Sequence, residues 1–113
     1  MKAVVLATNE STSDRWFEAL VESLQDPEEA IACLAVLLEE TEDDPTVRDR
    51  AFVRAMVAVT EGQIAAGRCS EAARDALQQF EQGLATPGSG IIYAWVAWLR
   101  AIGFGLVIQQ GQA

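Results

Sequence analysis

Apolar residues recur every three or four positions along most of the chain, which is the spacing of one face of an α-helix. The first such segment follows the polar stretch 8–13 and contains Trp16, Phe17, Leu20, Val21 and Leu24. Two Asp-Pro pairs, at residues 26–27 and 44–45, precede the next two segments. Asp accepts hydrogen bonds from a helix's first turn and Pro has a helical φ, so each pair predicts a helix start.

The third segment is predicted to run to about Ala66 and to end at Gly67, which suits a left-handed cap. Ser70 opens a fourth helix, and the breaker 86–90 separates it from a fifth that begins near Gly90. A stripe of small residues on the third helix would let a neighbour pack closely: Ala51, Ala55, Ala58, Gly62 and Ala65. We predict an all-α fold of about five helices in antiparallel hairpins, helical-repeat-like or an orthogonal bundle, in a single domain over 1–113.

The segment 91–102 is apolar on every side when it is drawn as a helix. Such a helix must be covered by its own protein, by a partner or by lipid. Its aromatic and aliphatic residues, with one that follows it, are the predicted apolar contact surface for a partner: Tyr93, Trp95, Trp98, Ile102 and Phe104. The alternative is that Trp95, Trp98 and Ile102, at helical spacing, fill the core.

Charge is divided unevenly along the chain. Residues 1–47 contain twelve acids and two basic residues, whereas residues 48–113 contain five acids and six arginines. The net charge of −9 argues against direct nucleic-acid binding, which needs clustered Lys and Arg. It is compatible with a basic protein partner, with mimicry of a nucleic acid, or with solubility alone. The acidic alternative for partner binding is the run Glu39, Glu40, Glu42, Asp43 and Asp44.

Residues for catalysis or metal binding are sparse. The chain has no histidine, and its cysteines, Cys33 and Cys69, lack the spacing of a zinc site. The acids at 39–44 lack the alternating ligands and central glycine of a calcium loop. We therefore expect no cofactor, no metal and no enzymatic activity, and we expect both cysteines to be buried thiols of a cytoplasmic protein.

A C-terminal membrane anchor is disfavoured. The stretch 91–108 is just long enough to cross a bilayer, but Arg100 lies at its centre and Gly103 and Gly105 interrupt it.

The turn Ala65-Ala66-Gly67-Arg68-Cys69-Ser70-Glu71-Ala72 resembles that of a tetratricopeptide repeat, in which glycine ends one helix and an acid-Ala pair opens the next. Ala76, Gln79 and Pro87 depart from the repeat's pattern. In size and layout, and in the stretches 27–34 and 94–99, the chain is similar to the small helical-repeat chaperones of type III secretion needle subunits. The resemblance implies an apolar groove that cradles a partner helix.

The leading functional hypothesis is thus a non-enzymatic interaction protein, an adaptor or chaperone that holds a partner helix through an apolar groove and its C-terminal helix. One alternative is an acidic inhibitor, either an immunity protein or a phage-type nucleic-acid mimic, that blocks a basic site. Another is a small structural subunit of an assembly, including a homo-oligomer.

Overall fold

The computed structural model describes residues 15–39, 43–86, 88 and 90–111. Within these residues, all regular secondary structure is helical. Within the described residues, helix α1 covers residues 15–23, and four helices follow it: α2 (Pro27–Leu38), α3 (Pro45–Ala65), α4 (Ala72–Leu84) and α5 (Ile91–Ala101). The predicted all-α fold with five helices is confirmed. The polar stretch 8–13, expected to lead into the first helix, lies outside the described residues.

The two Asp-Pro pairs start helices as the sequence predicts. Asp26 Oδ1 accepts a hydrogen bond of 2.9 Å from the Glu28 N–H at the start of α2. Asp44 does the same for Thr46 at the start of α3, also at 2.9 Å. Each aspartate satisfies a backbone donor that the first helical turn leaves without an intrahelical acceptor.

The end of α3 and the start of α4 also follow the sequence. Gly67 has a φ of +73°, the left-handed conformation that glycine adopts without a steric penalty. Ser70 Oγ accepts a hydrogen bond of 3.3 Å from the Ala72 N–H, so the predicted hydroxyl contacts the start of α4. The helix itself begins two residues later than Ser70.

The chain divides into two compact units, which we call the first unit (Met1–Ala66) and the second unit (Gly67–Ala113). In the first unit α2 packs on α3. Its apolar core contains Leu24, Ala30, Leu34, Ala55, Met56, Ala58 and Val59. A single domain over residues 1–113 stays a prediction.

The small stripe of α3 lets the end of α1 approach closely. A Cβ atom added to Gly62 would lie 2.8 Å from the backbone of Leu24 and from the carbonyl oxygen of Val21. Next to it, the buried Gln63 donates from Nε2 to the Leu24 carbonyl at 2.8 Å and to the Gln25 carbonyl at 3.3 Å. Gln63 therefore supplies hydrogen bonds to carbonyls in the α1–α2 turn, and it ties that turn to α3.

In the second unit α4 packs on α5. Its buried apolar residues are Ala73, Leu77, Phe80, Trp98, Leu99 and Ile102. Beyond α5 the chain turns at Gly103, whose φ is +85°, and the Phe104 N–H donates to the Leu99 carbonyl at 2.8 Å. With the 3.0 Å bond from the Gly103 N–H to the Arg100 carbonyl, this is a Schellman motif that ends the helix.

Candidate functional site

The structure separates the five residues of the predicted apolar contact surface. Trp98 and Ile102 are 0% and 1% exposed, so for these two the prediction of partner contact is corrected and the core alternative holds. Trp95 and Phe104 are half-buried, and Tyr93 is 81% exposed. The reason is that α5 is apolar all round, and its packing on α4 turns one side inward and leaves Tyr93 outside.

Tyr93 lines a hollow of about 420 Å³ within the second unit. The end of α4 contributes Gly83 and Leu84, and the start of α5 contributes Ile91 and Ile92. Ile92 is 69% exposed, so large apolar side chains in the first turn of α5 remain available for contact.

The acidic alternative set contains one residue with a clear structural role. Asp44 caps α3, as described above. Glu39 is exposed at the C-terminal end of α2, and Asp43 is exposed just before the α3 cap. Glu40 and Glu42 lie outside the described residues.

The first unit contains an apolar groove walled by α1, α2 and α3, with a volume of about 540 Å³. We call it the α1–α3 groove. Its lining residues are Trp16, Leu20, Ser23, Leu24, Glu29, Ala32, Cys33, Val36, Leu37, Ala51, Arg54 and Ala55. Side chains from all three helices at its edge are exposed, so the groove is open to solvent rather than enclosed.

Trp16 forms part of the groove's edge with more than half of its surface, 57%, in solvent. The guanidinium carbon of Arg54 lies 5.8 Å from the centre of its ring, within the range of a cation–π interaction. This contact joins α1 to α3 across the groove. A solvent-exposed tryptophan at the edge of an apolar recess is a common anchor of protein interfaces.

Cys33 lies on the α2 wall of the groove. Burial raises the pKa of its thiol, because a thiolate loses hydration there. Both cysteines were expected to be buried, and that expectation is wrong, since Cys33 and Cys69 are half-buried. Neither cysteine forms a disulfide.

The sequence analysis predicted an apolar groove and placed its lining residues in helices, but it did not identify which residues line the groove. Trp16 and Leu20 lie on the apolar face predicted for α1, and apolar periodicity does not show whether another element covers that face. The sequence signal that could have indicated the groove is α2, a 12-residue helix with apolar residues on several sides. Ile31, Val36 and Leu38 are all more than half exposed.

Within the described parts of the chain, no three His, Cys, Asp or Glu side chains are grouped so that they could hold a metal ion. Among the same residues, no helix is long and apolar enough to cross a membrane. The span 91–108 considered from the sequence is not one helix, because the Schellman motif ends α5 at Ala101.

Comparisons with protein-family models, with curated proteins and with solved structures found no match for this chain. The resemblance to tetratricopeptide repeats and to secretion chaperones therefore stays a prediction.

Proposed function

We propose that the protein is a non-enzymatic interaction module, an adaptor or chaperone, that holds one helix of a partner protein in the α1–α3 groove. The observation that carries the proposal is the groove itself: an open apolar channel between three helices with an exposed tryptophan at its edge. An amphipathic helix that lays its apolar face into such a channel is a recurring mode of recognition.

The shape of the groove favours a helix over a small molecule. Small-molecule sites are concave and bury most of the ligand's surface, with a few polar groups converging on it. Here Ala32, Val36 and Ala51 are exposed along the edge, so an occupant would keep one side in solvent. A helix with one apolar face and one polar face meets that condition.

Exposed apolar groups on the second unit support the same kind of function. Ile92 and Tyr93 lie at the start of α5 beside the hollow described above. We propose that they form an additional contact surface, which keeps part of the role expected for the C-terminal helix. A cytoplasmic location belongs to the proposal, and the thiol state of both cysteines supports it.

The acidic inhibitor is the second candidate. Its supporting observation is that exposed carboxylates, Glu39 and Asp43 among them, lie on the first unit. In that case a basic target would contact the carboxylates and not the groove, so the two candidates predict different effects of a substitution inside it.

Two alanines of α2 provide a matched test. Both are exposed, but Ala32 lines the groove and Ala35 does not. Ala32→Glu and Ala35→Glu therefore add the same charge to the same helix. Binding would be measured by the fluorescence anisotropy of a labelled helical peptide with leucines on one face and glutamines elsewhere.

We expect Ala32→Glu to weaken peptide binding by about tenfold or more, because a carboxylate pressed against an apolar face loses its hydration. Ala35→Glu should leave the affinity within about twofold of the unsubstituted protein, as is usual for an exposed change outside a contact. Equal affinities for the two variants, or no binding by the unsubstituted protein, would refute the groove as the binding site.

A further inference from the structure

The net charge is also distributed unevenly between the two units. The first unit contains fourteen acids and five basic residues, so its charge of −9 equals that of the whole chain. The second unit contains three acids and three arginines and is neutral. The α1–α3 groove therefore lies on the unit that carries all of the net negative charge.

Carboxylates mark both ends of the groove's α2 edge. Glu29 lines the groove at the N-terminal end of α2, and Glu39 follows Val36 by three residues at the other end, which places it on the same side of the helix. Both side chains are exposed, and within the described residues neither is in an ion pair. The guanidinium in the lining, that of Arg54, lies over the Trp16 ring.

The volume of the groove sets the size of its occupant. We take each carbon group to fill about 30 Å³, the volume of a water molecule in the liquid. A leucine side chain has four carbon groups, so a groove of 540 Å³ holds about four leucine-sized side chains. Four such anchors at helical spacing need about three turns, or roughly 12 residues and 18 Å. Helix α2, with its 12 residues, has the same length.

We propose that the occupant is an amphipathic helix of about three turns with one apolar face and with Lys or Arg residues at both ends of that face. The inference rests on the proposed function and adds the chemistry of the partner. Cations at the two ends of the helix would lie near Glu29 and Glu39. The field of the first unit would also attract such a helix before contact.

The same charge disfavours the other occupants of an apolar groove. A second copy of the chain also has a net charge of −9, so two first units repel each other. An anionic lipid surface is repelled for the same reason. A basic helix is the occupant that both the apolar lining and the charge favour.

Three helical peptides test the inference on the full chain. They share one leucine face and differ only in the flanking residues, which are Lys, Gln or Glu. Affinities would be measured by anisotropy at about 0.05 M and about 1 M NaCl, since salt screens the charge term and leaves the apolar term. A fourth peptide keeps the Lys flanks but has serines in place of the leucines.

At low salt we expect the Lys peptide to bind about tenfold or more tightly than the Glu peptide, with the Gln peptide between them. At high salt the affinities of the three leucine peptides should converge. The serine peptide should bind weakly at both salt concentrations. Equal affinities of the three leucine peptides at low salt would overturn the basic partner and leave the proposed function standing. No binding by any of them would refute the proposed function itself.

Two further results would overturn the inference. One is that the serine peptide binds as tightly as the Lys peptide, which would mean attraction without the groove. The other is a dimer of the unsubstituted protein, seen by sedimentation, that Ala32→Glu dissociates and Ala35→Glu does not, because a second copy would then occupy the groove.

A matched pair of charge variants locates the effect. Glu29→Gln with Glu39→Gln removes two carboxylates beside the groove, and Asp75→Asn with Glu81→Gln removes two exposed ones from the second unit. We expect the first pair to weaken binding of the Lys peptide about three- to tenfold at low salt and the second to change it less than twofold. Equal effects would mean that the charge acts only through the net charge of the chain, which contradicts the placement of cations at the groove.

Discussion

The hydrogen bonds of Gln63 hold the α1–α2 turn against α3, so this buried side chain helps to fix the position of α1 in the groove wall. Gln63→Glu keeps the size and shape of this side chain. It removes the two N–H donors and places a second oxygen near the carbonyls of Leu24 and Gln25. We expect the substitution to destabilise the first unit strongly at pH 7.

The magnitude follows from the burial of the site. The introduced carboxyl can bond to Leu24 only when it is protonated, so its pKa should rise above the ordinary glutamate value. Neutral pH lies about 2.7 units above that ordinary value, and each unit corresponds to about 1.4 kcal/mol, so protonation costs about 3.7 kcal/mol at pH 7. Loss of one amide hydrogen bond adds about 1 kcal/mol. The expected loss in the free energy of unfolding at pH 7 is therefore about 4–5 kcal/mol.

The sign of the pH dependence is fixed by the same reasoning. The native state of the variant binds a proton that the unfolded state releases above the ordinary pKa of glutamate. The deficit relative to the unsubstituted protein should accordingly be only about 1.5 kcal/mol near pH 4.5 and should grow as the pH rises towards neutrality.

Urea denaturation followed by circular dichroism, at about pH 4.5 and pH 7, measures both quantities. Gln79→Glu is the matched control because Gln79 is an exposed residue of α4, and it should change stability by no more than about 0.5 kcal/mol. A Gln63→Glu variant that is as stable as the control at pH 7, or whose deficit is independent of pH, would refute the role assigned to Gln63.

Three further substitutions test the packing. Gly62→Ala should lower the free energy of unfolding, measured in urea, by about 1–3 kcal/mol although alanine favours a helix, because the new methyl group would lie 2.8 Å from the Leu24 backbone. Unchanged stability would contradict the close approach of the Leu24 backbone to Gly62. Trp98→Asp should abolish the helical signal of α4 and α5 in circular dichroism, whereas Tyr93→Asp, on the exposed side of the same helix, should retain it; similar effects of the two would be inconsistent with this packing of α5. Since the pKa of the Cys33 thiol is raised by burial, it should react with iodoacetamide at pH 8 more slowly than a cysteine peptide, and an equal rate would argue against its burial.

Local features of the fold were predictable because their causes lie within a few residues. Asp26 and Asp44 cap helices through their own side chains, and Gly67 adopts the left-handed conformation that few other residues tolerate. No distant contact is needed for these effects. The stripe of small residues on α3 likewise indicated a close approach, although not that Gly62 would meet the backbone of Leu24.

The candidate site was less predictable because it depends on which faces remain uncovered. In α5, apolar residues occupy every side, so periodicity could not distinguish the buried Trp98 from the exposed Tyr93. The groove combines Trp16, Val36 and Ala51 from three helices, and each of them fits a core position when its own helix is considered alone. Only the packing of α1 and α2 with α3 shows that the space between them is open.

The central claim is that the α1–α3 groove binds a helix, and mapping of peptide contacts by NMR tests it most directly. The uniformly ¹⁵N-labelled full chain would be titrated with the Lys-flanked leucine peptide, and shifts would be followed for all amides and for the tryptophan indoles. We expect the largest changes at the Trp16 indole and at the amides of Cys33, Val36 and Ala51, with smaller changes in α4. Changes confined to Tyr93 and its neighbours, or to the exposed acids Glu39 and Asp43, would contradict the claim.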